Sequence, residues 1–272
     1  LKLKFLSAEI KNLKVEALKP KHLPMLALSE QTKRLGWIQI MLIRTWLSDA
    51  ENKLQGLIPT RQPRCLVALE NSQLIALIVL QPNNRKGCSW SISLPEFIKQ
   101  PKNFSYEEIR SILLERALQI DINVAKSWLV RCQTTDKKQL EIYRKLGFQP
   151  LKIFKKWNLT SFSKSHISSI DSNIDINLEW ETLSKNNAPL LSQLKKISES
   201  ALLREMLNIQ WIDLLDRNDP ENGLLISTEN NQRNAILGLA TPICSEDLLS
   251  LELIRDIAWD IRIEKVIPLI IT

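Results

Sequence analysis

Tyr143 sits in the stretch EIYRKLGF, residues 141–148, four positions ahead of a Gly-Phe pair. A phenol of ordinary pKa, about 10, is protonated at neutral pH and can hand its proton to an anion within hydrogen-bond reach. The chain holds two tyrosines in 272 residues, so this position is a candidate proton donor. Glu96 follows Leu94-Pro95 at the end of a strand pattern and is a carboxylate that could take a proton up. Other chemistries are poorly supplied. Cys65, Cys88, Cys132 and Cys244 lie far apart, with no CxxC and with His22 and His166 as the sole histidines. Neither a zinc site nor a disulfide framework is indicated, and buried free thiols are expected instead. The six glycines, at 36, 56, 87, 147, 223 and 238, never fall within one loop. A phosphate loop or a dinucleotide fingerprint needs clustered glycines to bring backbone amides against phosphate, so both are excluded. There is no GxSxG, and two histidines leave little material for a Ser-His-Asp triad.

The elements that must position Tyr143 and Glu96 form a mixed α/β order. A strand is expected near Lys14 to Leu18, a helical pattern over 21–54, a hairpin over 65–81 and a strand over 88–94. A helix over 106–121, a strand over 127–133, a helix over 136–146 and an extended segment over 149–157 follow. In the last helix Asp136 with Gln139 makes a start resembling a capping box, while Leu140, Tyr143 and Leu146 share a face. Gly147 is placed for the left-handed position that closes a helix, with Phe148 packing after it. None of that requires a hydroxyl at 143, so packing and proton donation both remain open for Tyr143.

Charge divides the chain. Residues 1–170 carry 28 Lys+Arg against 13 Asp+Glu, and residues 171–272 carry 9 against 17, which gives halves of +15 and −8 within the total of +7. Beneath that difference lies a repeat. At a constant offset of 165 residues Glu16 meets Glu181, Leu18 meets Leu183, Pro24 meets Pro189 and Leu26 meets Leu191, and MLIRTW meets MLNIQW. The hairpin pattern LVALENSQLIALIVLQP (66–82) is matched by LLISTENNQRNAILGLATP (224–242). A third match pairs Arg116 with Arg255 and Lys126 with Lys265, where the first copy passes from the end of a helix to a strand. The serine-rich stretch SKSHISSIDSNID reads as a linker, giving domains over 1–162 and 176–272 joined by 163–175. The second copy is shortened: it has CSE where the first has more than twenty residues, and it has no counterpart of EIYRKLGF.

The first copy resembles the GNAT superfamily of acyl-CoA N-acyltransferases, over about residues 13–158. The likeness rests on the element order, on EALKPKHLPML as opening strand and helix, on the hairpin, and on DKKQLEIYRKLGFQPLKIFKKW, which is similar to that family's closing helix and strands. Two GNAT-like mixed-sheet domains in tandem, the second incomplete, are thereby implied. So are acetyl-CoA as co-substrate, no metal, and an amine on a small molecule or a protein as acceptor. The resemblance makes Tyr143 the acid that protonates the departing thiolate, with Glu96 as candidate base on the amine. Ser93, Leu94, Lys99, Lys102, Ser105 and Asp136 are the implied coenzyme contacts. The family grips the pyrophosphate with a glycine-containing loop between the fourth strand and the next helix. Here SLPEFIKQPKNFSYEEIRSILL has no glycine, and Ser105 with Glu108 reads as a capping box that satisfies amides internally.

Three functions remain in view. One is acyl transfer by the first copy, with the acidic second copy docking as its support. Another is an inactive descendant that binds or scaffolds. The third is a nucleic-acid surface on Lys152, Lys155, Lys156 and Trp157, although the same charge also fits an acidic domain or a phosphorylated cofactor, and nucleic acid is not preferred. No apolar run reaches the ~18 residues of a membrane-spanning helix, and a cytoplasmic location is expected.

Overall fold

The computed structural model describes residues 12–27, 63–120, 123–153, 178–215, 223–229, 232–245 and 248–256. The chain divides into two compact units, Leu1–Gln149 with Met206–Asn208, and Pro150–Glu205 with Ile209–Thr272. The expected linker, 163–175, lies outside the described residues.

The first unit is a mixed α/β layer. Its sheet contains β1 (Leu13–Ala17), β2 (Arg64–Glu70), β3 (Gln73–Pro82), β4 (Ser89–Ile92), β5 (Glu96–Phe97) and β6 (Ser127–Val130), in the order β1-β2-β3-β4-β6, with β5 paired to β3. Neighbours are antiparallel except β4 and β6, which run parallel. β2 and β3 are apolar on both faces because both faces are covered. Leu66, Ala68, Ile78 and Leu80 point to one cluster, closed by Ile109, Leu113 and Leu114 from α2 (Tyr106–Leu118) and by Ile142 and Tyr143 from α3 (Lys137–Lys145). Val67, Leu69, Leu77 and Val79 point to the other, closed by Leu26 of α1 (Leu23–Ala27). The β2-β3 hairpin turns on Asn71 (φ 48°) and Ser72 (φ 65°), the two positive values that match a two-residue turn to strand twist.

The expected hairpin and both later helices are present, with differences at the margins. The strand over 88–94 stops at Ile92 and restarts as β5. Of the helical pattern over 21–54, Pro20–His22 is a 3-10 turn leading into α1, and residues 28–62 lie outside the described residues. No strand forms over 149–153, where an extended segment was expected, and 154–157 lie outside the described residues.

The second unit has a four-stranded antiparallel sheet in the order β10-β9-β8-β7, from β7 (Leu178–Thr182), β8 (Gly223–Glu229), β9 (Gln232–Ser245) and β10 (Leu248–Arg255). Helices α4 (Ala188–Ser198), α5 (Ala201–Leu207) and α6 (Trp211–Leu215) precede β8. Leu191 and Leu194 of α4 and Leu214 of α6 pack on Leu224 and Ile226. The match of Arg255 to the helical Arg116 is corrected here, since Arg255 ends a strand. Leu249, Leu251 and Leu253 alternate with Ser250 and Glu252, a period of two that suits a strand and not a helix.

One buried arrangement occurs in both units. In the first, the Lys19 amide donates to His22 Nδ1 (3.0 Å) and His22 Nε2 bonds Glu16 Oε1 (2.9 Å). In the second, the Ser184 amide donates to Asn187 Oδ1 (2.7 Å) and Asn187 Nδ2 donates to Glu181 Oε2 (3.0 Å).

Candidate functional site

The site lies where the first unit's sheet opens. β4 and β6 are held together by four parallel register pairs, from Ser89↔Ser127 to Ile92↔Val130, and by Trp90 stacked on Trp128 at 6.2 Å between ring centroids. Beyond Ile92 the pairing fails for local reasons. The Ser93 amide donates to the Val79 carbonyl (2.8 Å), and Ser93 Oγ accepts from the Val79 amide (3.0 Å), standing in for a backbone acceptor. Leu94 and the donor-less Pro95 then bulge, and the chain rejoins β3 at Leu77↔Glu96 and Ala76↔Phe97. Among the described residues β5 pairs with β3 alone, so its other edge faces the opening.

α3 carries Tyr143 into the cluster that includes Phe97, Trp128 and Val130, by locally encoded contacts. Asp136 caps its start, accepting from the Gln139 amide (3.0 Å). Its end is a Schellman closure: the Phe148 amide donates to the Tyr143 carbonyl (2.9 Å), the Gly147 amide to that of Arg144 (3.0 Å), and Gly147 takes φ +87°. The hydrophobic contact that accompanies such a closure is Tyr143 against Phe148, ring centroids 5.5 Å apart at 63°. Tyr143 is 3% exposed, and its hydroxyl has no partner at hydrogen-bonding geometry among the described residues. Burial pushes its pKa up to about 12, with the Gln139 amide pulling slightly the other way, so the phenol keeps its proton at neutral pH.

Two further groups share this place. Gln139, one turn before Tyr143 and 1% exposed, has neither amide atom bonded among the described residues. Arg110 of α2 lies over the Phe97 ring at 5.6 Å from the centroid, and its Nε likewise has no partner among the described residues. The starts of α2 and α3 are joined by Glu107 and Lys138 at 2.8 Å. Phe97, Arg110, Gln139 and Tyr143 thus bring β5, α2 and α3 to one place.

Glu96 approaches from the other side. Successive strand residues face opposite ways. Phe97, beside Ala76, faces the Tyr143 cluster, whereas Glu96, beside Leu77, faces the α1 cluster. Its carboxylate lies near Cys65, whose thiol is pushed up to about 12, by burial first and by Glu96 second. Glu96 and Tyr143 therefore belong to opposite faces of the sheet.

Several amides of the segment leading into α2 are satisfied internally. Glu70, 4% exposed, accepts from the Lys102 amide (2.9 Å) and the Asn103 amide (2.7 Å), and these bonds, the one from Lys102 foremost, hold its carboxyl below the usual range. The Ile98 and Lys99 amides both donate to the Ile75 carbonyl. Ser105 and Glu108 form the expected capping box, the Ser105 amide to Glu108 Oε2 (2.8 Å) and the Glu108 amide to Ser105 Oγ (3.2 Å). The amides of Lys102, Asn103, Ser105 and Glu108 are thus taken up internally and are not open to pyrophosphate oxygens.

Of the sequence candidates, the structure brings Tyr143 and Asp136 together on α3, and Ser93, Leu94 and Glu96 together at the bulge. Lys99, Lys102 and Ser105 lie along the loop into α2, with both lysines exposed. Gln139 and Arg110 were missed as site residues, although Gln139 stands four positions before Tyr143 and so shares its helix face. Glu70 left no local signal, being 32 positions from Lys102. Among the described residues no group of three His, Cys, Asp or Glu side chains could hold a metal, and no helix is long and apolar enough to cross a membrane.

No protein-family model and no curated protein matches this chain. Several solved structures are similar to it. A probable acetyltransferase has 15% identity and TM-score 0.35, covering 56% of this chain and 99% of its own. An aminoglycoside acetyltransferase from an uncultured soil metagenomic sample, solved with sisomicin, has 17% identity and TM-score 0.35, covering 54% and 96%. The Campylobacter jejuni N-acetyltransferase PseH, solved with acetyl coenzyme A, has 12% identity and TM-score 0.34, covering 53% and 92%.

Proposed function

We propose that the first unit transfers an acyl group from a thioester of the coenzyme A type, acetyl being the simplest, to an amine on a small molecule or a protein. The observation that carries this reading is the Tyr143 hydroxyl: buried, held protonated, and without a hydrogen-bond partner among the described residues, beside an opening in the sheet. The amine nitrogen attacks the thioester carbonyl carbon, and the C–S bond breaks as the amide forms. The leaving thiolate takes the Tyr143 proton, and the attacking nitrogen gives its proton to Glu96 or to water. Phenolate then regains a proton from solvent, so no covalent enzyme intermediate is needed. Cys65, Cys88 and Cys132 are free thiols, which agrees with a reducing, cytoplasmic setting for this chemistry.

A second reading is favoured by a specific observation. Glu70 and the Ser105–Glu108 box occupy amides that a coenzyme would use, as in a fold that has lost its donor and serves as a scaffold. Calorimetric titration of the whole protein with acetyl-CoA, and separately with CoA, decides between them. Saturable one-site binding supports acyl transfer, and absence of binding to any thioester donor supports the scaffold.

We also propose that the two units are tandem copies, the second shortened. Support comes from the buried Glu16–His22 and Glu181–Asn187 arrangements, which repeat at the same offset of 165 residues as the sequence match. The hairpins add to this, with Glu70↔Gln73 and Glu229↔Gln232 as the matching end pairs of ENSQ and ENNQ.

A further inference from the structure

The loop that would grip a nucleotide pyrophosphate and the opening that would take a thioester differ in how satisfied they are. Along the loop, the amides of Ile98, Lys99, Lys102, Asn103, Ser105 and Glu108 all have internal acceptors, and two of those acceptors are carboxylates. Releasing an amide from a carboxylate breaks a charge-assisted bond, and at Glu70 it strands a nearly buried anion, so a phosphate gains little by competing. At the opening the opposite holds. The Gln139 amide can both donate and accept, the Tyr143 hydroxyl can do the same, and Arg110 Nε can donate, all without partners among the described residues. Such groups suit an arm built of amides that ends in a thioester, which is the chemistry of pantetheine.

Resting on the thioester reading above, we propose that this protein recognises the pantetheine arm of its donor without the nucleotide, and that the arm is presented on an acidic carrier protein. A carrier-borne arm ends in a single phosphodiester, so it asks for no pyrophosphate cradle. The carrier supplies affinity through its own surface instead. The loop and the start of α3 offer Lys99, Lys102 and Lys137, all exposed, within a half-chain of net charge +15. Such a field raises association with an acidic partner and weakens with salt.

Three donors test this on the whole protein by calorimetry: acetyl-CoA, S-acetyl-4′-phosphopantetheine, and an acyl carrier protein bearing the same acetylated arm. The expected result is that the first two bind within about 3-fold of each other, while the carrier-borne arm binds about 10-fold or more tighter at low salt and loses that gain at high salt. Acetyl-CoA binding about 100-fold tighter than the free arm would mean that the nucleotide is read, which overturns the inference and leaves acyl transfer standing. Equal binding of free and carrier-borne arms would overturn the carrier. No binding of any donor would remove acyl transfer itself. A Lys102→Glu variant supplies a second readout: the carrier loses affinity, and the free arm does not.

Discussion

A single substitution separates the two parts of Tyr143, because packing uses its ring and the proposed proton transfer would use its hydroxyl. Tyr143→Phe keeps the contact with Phe148 and removes a buried hydroxyl that has no partner among the described residues. The variant should be as stable as the parent or more so, by up to about 1 kcal/mol in urea denaturation. Acyl transfer, followed as thiol release at saturating donor, should fall by about 10²–10⁴-fold, beyond whatever donor affinity is lost with the hydroxyl. A loss of stability without loss of turnover would make the hydroxyl structural. The same burial sets a pH expectation. With a pKa pushed up to about 12, Tyr143 keeps its proton through the alkaline range, so its ionisation should not lower activity near the ordinary phenol value of about 10.

At the scale of elements, the turn from β1 into α1 makes a prediction that its counterpart in the second unit supports. His22 accepts from the Lys19 amide at Nδ1, so it can donate to Glu16 only as the neutral Nε2–H tautomer. Burial lowers its pKa, against the pull of Glu16, while Lys19 and Lys21 nearby also oppose a second positive charge. Below the unfolded value of 6.5 the unfolded chain takes up a proton that the folded chain refuses, so stability falls as pH drops from there, by at most about 1.4 kcal/mol per pH unit. His22→Asn installs the acceptor and donor pair that Asn187 uses, and it should remove that part of the pH dependence between pH 6.5 and 5 in urea denaturation. Gly147→Ala tests the end of α3. Nothing lies within 4 Å of the added Cβ, so the cost is that of φ +87° alone, about 1 kcal/mol. These features were legible because they are local: Asp136, Gly147 and Phe148 state a helix start and stop within one stretch, and ENSQ states a two-residue turn. The Ser93–Pro95 bulge and the Glu70 carboxylate beneath the loop were not, since each depends on a partner far along the chain, Val79 for one and Lys102 with Asn103 for the other. β10 was misread for a different reason, a few identities with a helix outweighing its own alternation of leucine with polar residues.

For the whole molecule the question is whether the proposed acyl transfer needs both units. Tyr143, Gln139, Arg110 and Glu96 all belong to the first, and each unit has its own sheet and apolar cluster. The second can be damaged by a substitution within its own sheet. Gly223 pairs with Thr182 at the β7-β8 edge, where an added Cβ would meet the Trp180 ring at 2.5 Å and the Glu181 carbonyl at 2.6 Å. A backbone oxygen cannot swing aside as the end of a side chain can, so Gly223→Ala must part the two strands, at a cost of about 1–3 kcal/mol typical of overpacking. Hydrogen exchange should rise in β7 and β8 and stay unchanged in β2 and β3. If the first unit works as an independent body, donor binding measured by calorimetry keeps the parent affinity in this variant. If affinity falls together with protection of β7 and β8, the acidic half supports the site, and the opposite charges of the two halves become part of how the protein functions.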